Sequence, residues 1–324
     1  MKEMEGISVV VPVFNEEGNV RELHREIYEV CKNEGYNFEI IFVDDGSTDR
    51  TPEICKELVP LKCIRMRRNF GQTAAMDAGI KASKYDYIVT MDGDRQNDPA
   101  DIPNLVKYLE ENDLDIVSGW RKHRKDTFMK KFTSRGANFL RGIIVDDGIH
   151  DSGCSLKIYR RECFNHINLY GEMHRFIPAL LKIKGFRVGE IVVNHRPRTS
   201  GKTKYNWKRT FKGFVDMISL WFWGKFAVRP LHIMGSVGLI SLLMGFGCGV
   251  WSIALWAMGR KMSNNLMPPL LTIFFIVIGL LMFVFGLMSD MLSKTYYGVG
   301  IDTSYSIKET LVNEENEEKE KCES

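Results

Sequence analysis

The chain has 324 residues, and its 44 Lys and Arg against 41 Asp and Glu give a net charge of +3, a balance that argues against a nucleic-acid partner. Residues 301–324 hold eight acidic and three basic side chains, a net of −5 that leaves +8 on residues 1–300. Two stretches, Leu231 to Gly259 and Met262 to Ser289, contain no Asp, Glu, Lys or Arg. Each exceeds the ~20 apolar residues that a bilayer core requires, which excludes a simple soluble protein.

Taken in chain order, residues 7–120 alternate short apolar runs with polar, helix-like stretches. Ile7–Val13, Phe38–Val43, Cys63–Met66, Tyr87–Met91 and Ile116–Ser118 read as strands, with helices expected near 17–33, 50–58, 71–83 and 101–111. Asp49 and Pro52 mark the start of one helix, Pro99 and Asp101 that of another. The alternation predicts an α/β domain, a mostly parallel sheet with helices on both faces, whose ligands sit beyond the carboxyl ends of the strands. After a basic, partly amphipathic stretch at 120–142 come a strand at Ser155–Tyr159, a helix near 173–184 and a strand at Arg187–Val193. From Arg196 to Arg229 Lys, Arg and aromatic residues accumulate, as in a helix lying in the lipid headgroup region. The expected organisation is a cytosolic domain over 1–205, an amphipathic juxtamembrane segment over 206–230, membrane helices over 231–259 and 263–289, and a C-terminal segment over 290–324 ending in an acidic, disordered tail. The opening MKEMEGIS holds no apolar leader. Basic residues before the first span then place the domain and both termini in the cytosol. The seven scattered cysteines, with no C-x-x-C pair, suit free thiols. Gly235, Gly238, Gly245 and Gly249 are spaced to pack against neighbours, in keeping with a homo-oligomer.

Asp92-Gly93-Asp94, at the end of an apolar strand, brings two carboxylates to one place, and Gly93 removes side-chain bulk between them. Gln96 adds a third oxygen. Such a set suits Mg²⁺ or Mn²⁺, which keep places for water and phosphate oxygens. Asp44 and Asp45, at the end of the second strand, are placed to accept donors from a base or ribose. Pro12, Phe14 and Glu16 lie where the first strand enters its helix, by themselves no more than a turn. His123, His150 and His174 show no metal spacing and read as background histidines.

With VVPVFNEE, FVDDGSTDRT, RNFGQTAAMDAGI and MDGDRQNDP in order, the chain resembles the family 2 glycosyltransferases of the GT-A fold. Asp151-Ser152-Gly153, and the basic segment from Arg198 to Tyr205, narrow the resemblance to polyprenyl-phosphate glycosyltransferases, the group of dolichyl-phosphate mannose synthase and bacterial undecaprenyl-phosphate sugar transferases. Thr203 stands where that group commonly has Ser, and Arg95 where it has an apolar residue. The resemblance implies a nucleotide pocket of Pro12, Phe14, Glu16, Asp44 and Asp45. It implies a metal on Asp92, Asp94 and Gln96, with Gly93 between them, and a diphosphate clamp of Arg198 and Lys204. Arg121, Lys130 and Ser134 would bind the acceptor phosphate, and Asp151 is the implied catalytic base. The implied reaction is inverting transfer of a hexose from a nucleotide sugar, a UDP-hexose or GDP-mannose, to polyprenyl phosphate. That acceptor, with a second pKa near ~6, needs little deprotonation, so Asp151 is as well suited to orienting as to taking a proton. A processive polysaccharide synthase is disfavoured by the absence of a Q-x-x-R-W segment, and a non-catalytic scaffold by the intact acids.

Overall fold

The computed structural model describes residues 6–122, 148–165, 167, 169, 171, 173–197, 226, 230–260 and 265–298. The juxtamembrane segment, Lys130, Ser134, Arg198, Lys204 and the acidic tail lie outside the described residues.

Seven strands, β1 (Ile7–Val13), β2 (Phe38–Asp44), β3 (Lys62–Arg65), β4 (Tyr87–Thr90), β5 (Ile116–Trp120), β6 (Lys157–Arg160) and β7 (Val188–Val192), form one sheet in the order β3-β2-β1-β4-β6-β5-β7. Only β6 runs antiparallel to its neighbours. All seven residues of β1 are buried, as a central strand covered on both faces requires. Val9, Val11 and Val13 pack with helices α1 (Val20–Asn33) and α4 (Ile102–Glu111), while Val10 packs with α3 (Gln72–Ala82) and α5 (Ile177–Ile183). Helix α2 (Thr51–Glu57) places Cys55 in the first of these layers. The product is a three-layer α/β/α domain whose strand-end turns are free to carry chemistry.

Where helix boundaries differ from expectation, hydrogen bonding explains it. Helix α1 starts at Val20 rather than residue 17, because the preceding turn is stitched to the β2–α2 turn. Asn15, at φ 56°, receives Thr48 N–H on its Oδ1 at 2.8 Å, Glu16 N–H donates to Thr51 Oγ1 at 2.9 Å, and Glu17 N–H donates to Asp49 Oδ2 at 3.2 Å. The helix expected over 173–184 is a 3-10 turn, Met173–Arg175, followed by α5. Pro178 lies in the first turn of α5, where its missing N–H costs nothing, but it disfavours helical backbone in the residue before it.

Two further helices, α6 (Pro230–Ala257) and α7 (Met267–Gly298), are each long and apolar enough to cross a membrane, their most apolar 18-residue stretches having mean hydropathies of 1.9 and 2.9. They pack on each other as a hairpin. A Cβ on Gly238 would stand 2.9 Å from the Gly279 carbonyl, one on Gly245 3.0 Å from Ile276 Cγ1, and one on Gly249 3.4 Å from Thr272 Cγ2. Ser241 Oγ–H donates to the Phe275 carbonyl at 2.9 Å. Within the hairpin these small residues let the two backbones approach.

Candidate active site

A cavity of about 580 Å³ opens at the carboxyl ends of β1 and β4. Its wall includes Pro12 near the end of β1, Phe14 and Glu16 from the β1–α1 turn, Asp45 after β2, and Asp92, Gly93, Asp94 and Gln96 after β4. These eight sequence-predicted residues therefore converge. Gly93 is needed for the approach, since a Cβ there would stand 3.0 Å from Val13 Cγ1 and 3.2 Å from the Pro12 carbonyl.

Asp44 and Asp45 part ways. Asp45 lines the cavity and ties down the loop before α3, accepting N–H bonds from Phe70 at 2.7 Å and Gly71 at 2.9 Å. Asp44 is fully buried and is not on the cavity wall. Its Oδ1 accepts the Ser47 N–H at 2.8 Å, and its Oδ2 lies 3.4 Å from Arg65 Nε without a hydrogen bond. The structure gives it the role of shaping the turn that presents Asp45.

Asp92 and Asp94 fit a divalent cation by the chemistry of their donor set. Burial, and then the charge of Asp94, push the Asp92 carboxyl above its ordinary range. A positive ion between them would relieve that repulsion. Among the described residues no three His, Cys, Asp or Glu side chains converge. Gln72, at the first position of α3, donates from Nε2 to Asp92 Oδ1 at 2.7 Å. Arg95, at φ 61°, turns its side chain away and pairs with Glu26 of α1 at 2.6 Å. Glu26 also takes Arg196 Nη1–H at 2.8 Å, and Arg196 N–H donates to the Gln96 carbonyl at 2.9 Å. The chain entering the basic segment is thereby tied beside the 92–96 loop.

On the other side of the turn 152–155, Arg121 clasps Asp151 with Nε–H to Oδ2 at 2.7 Å and Nη2–H to Oδ1 at 3.0 Å. Burial alone would raise this acid; the Arg121 guanidinium overrides it and holds Asp151 below the usual carboxylate range. Sequence reasoning gave these two residues separate roles, whereas the structure makes them one bidentate pair. Glu190 on β7 accepts the N–H groups of both His150 and Asp151 at 2.9 Å, and His150 Nδ1–H at 2.8 Å, while the His150 ring stacks on Trp120.

Four residues around the cavity escaped sequence reasoning. Gln72 sits inside a recognised motif but carried no assigned role. Glu190 lies in a strand with no local signal. Lys157, the first residue of β6, lines the cavity while only 2% exposed, and burial pushes its ammonium below its ordinary value. His174 also lines the cavity and shares a 2.7 Å hydrogen bond with Thr73 Oγ1.

A mixed sheet with one reversed strand, a strand-end acid pair and a nucleotide-sized cleft define a glycosyltransferase of the GT-A class. The chain belongs to glycosyltransferase family 2: the family model Glycosyl transferase family 2 matches residues 8–167. The chain is 39% identical over 316 residues to a dodecaprenyl-phosphate galacturonate synthase of Rhizobium johnstonii, covering 94% of this chain and 92% of that protein. It is 30% identical over 327 residues to an undecaprenyl-phosphate 4-deoxy-4-formamido-L-arabinose transferase of Edwardsiella ictaluri, covering 99% of each. Among solved structures, glucosyl-3-phosphoglycerate synthase from Mycobacterium tuberculosis, in complex with Mn²⁺, UDP-glucose and phosphoglyceric acid, shares the fold. It matches with a TM-score of 0.55 at 16% identity, over 67% of this chain and 80% of that one.

Proposed function

We propose that this enzyme transfers a sugar, a hexose of the UDP-linked kind, to the phosphate of a polyprenyl lipid in the membrane that holds its hairpin. The observation that carries the reading is the two-sided site: an acid pair with strained charge on one side of the turn 152–155, and an arginine-held acid on the other. Relatives that act on dodecaprenyl and undecaprenyl phosphate support the lipid acceptor. The fold neighbour bound to Mn²⁺ and UDP-glucose supports the donor class and the cation.

Asp92, Asp94 and Gln96 would hold Mg²⁺ or Mn²⁺, which when bound supplies positive charge to the departing diphosphate. Pro12, Phe14, Glu16 and Asp45 frame the nucleotide end of the cavity, and Arg198 and Lys204 are its proposed diphosphate clamp. Arg121, with Lys130 and Ser134, is the proposed acceptor-phosphate site. A polyprenyl phosphate arrives already ionised, so Asp151 orients rather than deprotonates. The geometry of a single in-line displacement then inverts the sugar's anomeric configuration.

The test is to incubate the purified full chain, in detergent with undecaprenyl phosphate and Mn²⁺, with labelled UDP-galacturonate, UDP-glucose, UDP-N-acetylglucosamine and GDP-mannose. Label entering the lipid phase from one UDP-sugar is the expected result. Transfer from GDP-mannose alone would reassign the donor, and no lipid label from any donor would remove the acceptor. For the proposed topology, thiol reagents should reach Cys322 from the cytosolic side only, and the loop at Arg260 should be accessible from the opposite side. Access to both from one side would contradict a two-span hairpin.

A further inference from the structure

A lysine in the interior of a sheet needs a reason, because desolvating an ammonium costs several kcal/mol unless its protons are bonded. Lys157 pairs across the sheet with Thr90 of β4 and Ser118 of β5, and its strand neighbours Leu156 and Ile158 are fully buried. Its ammonium donates to the carbonyl of Cys154 and, at 3.4 Å, to that of Ser152. Both carbonyls belong to the turn that follows Asp151. Asp92, Asp151 and Arg121 are its charged neighbours. The same turn is fixed to the 92–97 loop and β4 at Ser155, whose hydroxyl accepts Asn97 Nδ2–H at 2.6 Å and whose carbonyl accepts Thr90 Oγ1–H at 2.9 Å. Lys157 is thus the charged group beneath the one turn that separates the acid pair from the Arg121–Asp151 pair.

We propose that Lys157 is a positioning residue that sets the turn 152–154 between the donor and acceptor sides of the cavity, so that sugar transfer depends on it while nucleotide binding does not. The inference rests on the reading of the site as a polyprenyl-phosphate sugar transferase. A cation at this position fixes two carbonyls at once, which a neutral side chain of similar length cannot do. It also balances Asp92 and Asp151 from below, leaving the upper side of the turn for substrate.

The experiment uses the full chain as Lys157→Met and Lys157→Arg, with three readouts: steady-state transfer to undecaprenyl phosphate, binding of UDP with Mn²⁺ by calorimetry, and maleimide labelling of buried Cys154 by mass spectrometry. Lys157→Met should lower kcat by at least about 30-fold, leave the UDP–Mn²⁺ Kd within about threefold, and expose Cys154 to labelling. Lys157→Arg should recover at least a tenth of wild-type kcat, because it keeps a charge and several donors. Loss of UDP–Mn²⁺ binding in step with kcat would place Lys157 in the donor site and overturn the proposal. So would wild-type kcat in Lys157→Met, or Cys154 as protected as in the wild type. If Lys157→Met does not fold, a folded Lys157→Arg with wild-type labelling but no transfer overturns it as well. A wild-type chain that transfers no sugar to lipid, yet binds UDP–Mn²⁺, defeats the parent reading instead, and the Cys154 result still decides whether Lys157 holds the turn.

Discussion

The two sides of the cavity treat the same residue type in opposite ways. On the proposed donor side, half-buried Asp92 lies beside Asp94, with the Gln72 amide on one oxygen, and its carboxyl is pushed up. On the proposed acceptor side Asp151 is clasped by Arg121 through two bonds, and its carboxyl is held down. An acid pair under charge strain is ready to accept a cation. An acid neutralised by its own protein's guanidinium is ready to hold geometry. The difference teaches that the side chain alone does not assign a role; its charged neighbours do.

The strongest way to break the contrast is to remove the donor-side charge. Asp94→Asn should cut turnover by about 10²–10³-fold with an unchanged melting temperature, and EDTA should do the same to the wild type. Full activity in excess chelator would end the metal assignment. A second break lies in the acceptor pair. Arg121→Ala leaves Asp151 as a partly buried charge without its partner, a loss of about 1–3 kcal/mol in stability, read as a lower denaturant midpoint. It should also raise the KM for polyprenyl phosphate more than that for the nucleotide sugar. Arg121→Met with Asp151→Leu should regain much of the stability and none of the activity, which separates the pair's structural role from its functional one. A smaller effect sharpens the donor side: Gln72→Ala removes one hydrogen bond to a carboxylate and should weaken UDP–Mn²⁺ binding roughly tenfold, measured by calorimetry.

Much of this was legible in the sequence because it depends on local pattern. The run Ile7–Val13 is a strand with those same ends, since β-branched residues broken only by Ser8 and Pro12 mark a strand covered on both faces. The Asp92–Gln96 loop was legible because short spacing places its oxygens together wherever the loop lies. Arg121 and Asp151 are thirty positions apart, and their pairing needs β5 and the 150–155 turn to meet across the sheet. Lys157 is hidden for a related reason: a lysine inside an apolar strand looks like an irregularity until its ammonium is seen on two carbonyls. Glu190 acts through backbone N–H groups, which leave no trace in side-chain spacing. The helix start at Val20 was misread because Glu16 and Glu17 look helical but spend their amides on the neighbouring turn.

The central claim is that Asp151, held as an anion by Arg121, orients the acceptor and removes no proton. Because its pKa is lower folded than unfolded, the pair's contribution to stability is complete above the unfolded value of about 4 and fades only as pH falls through the native value. Across pH 6–9 the residue therefore does not titrate. The direct measurement is kcat of the wild type and of Asp151→Asn at saturating donor and acceptor over that range. The account predicts a lowered kcat in Asp151→Asn whose pH profile parallels the wild type. Recovery of the variant toward wild-type kcat as pH rises would make hydroxide a substitute for Asp151, and would show it to be a general base.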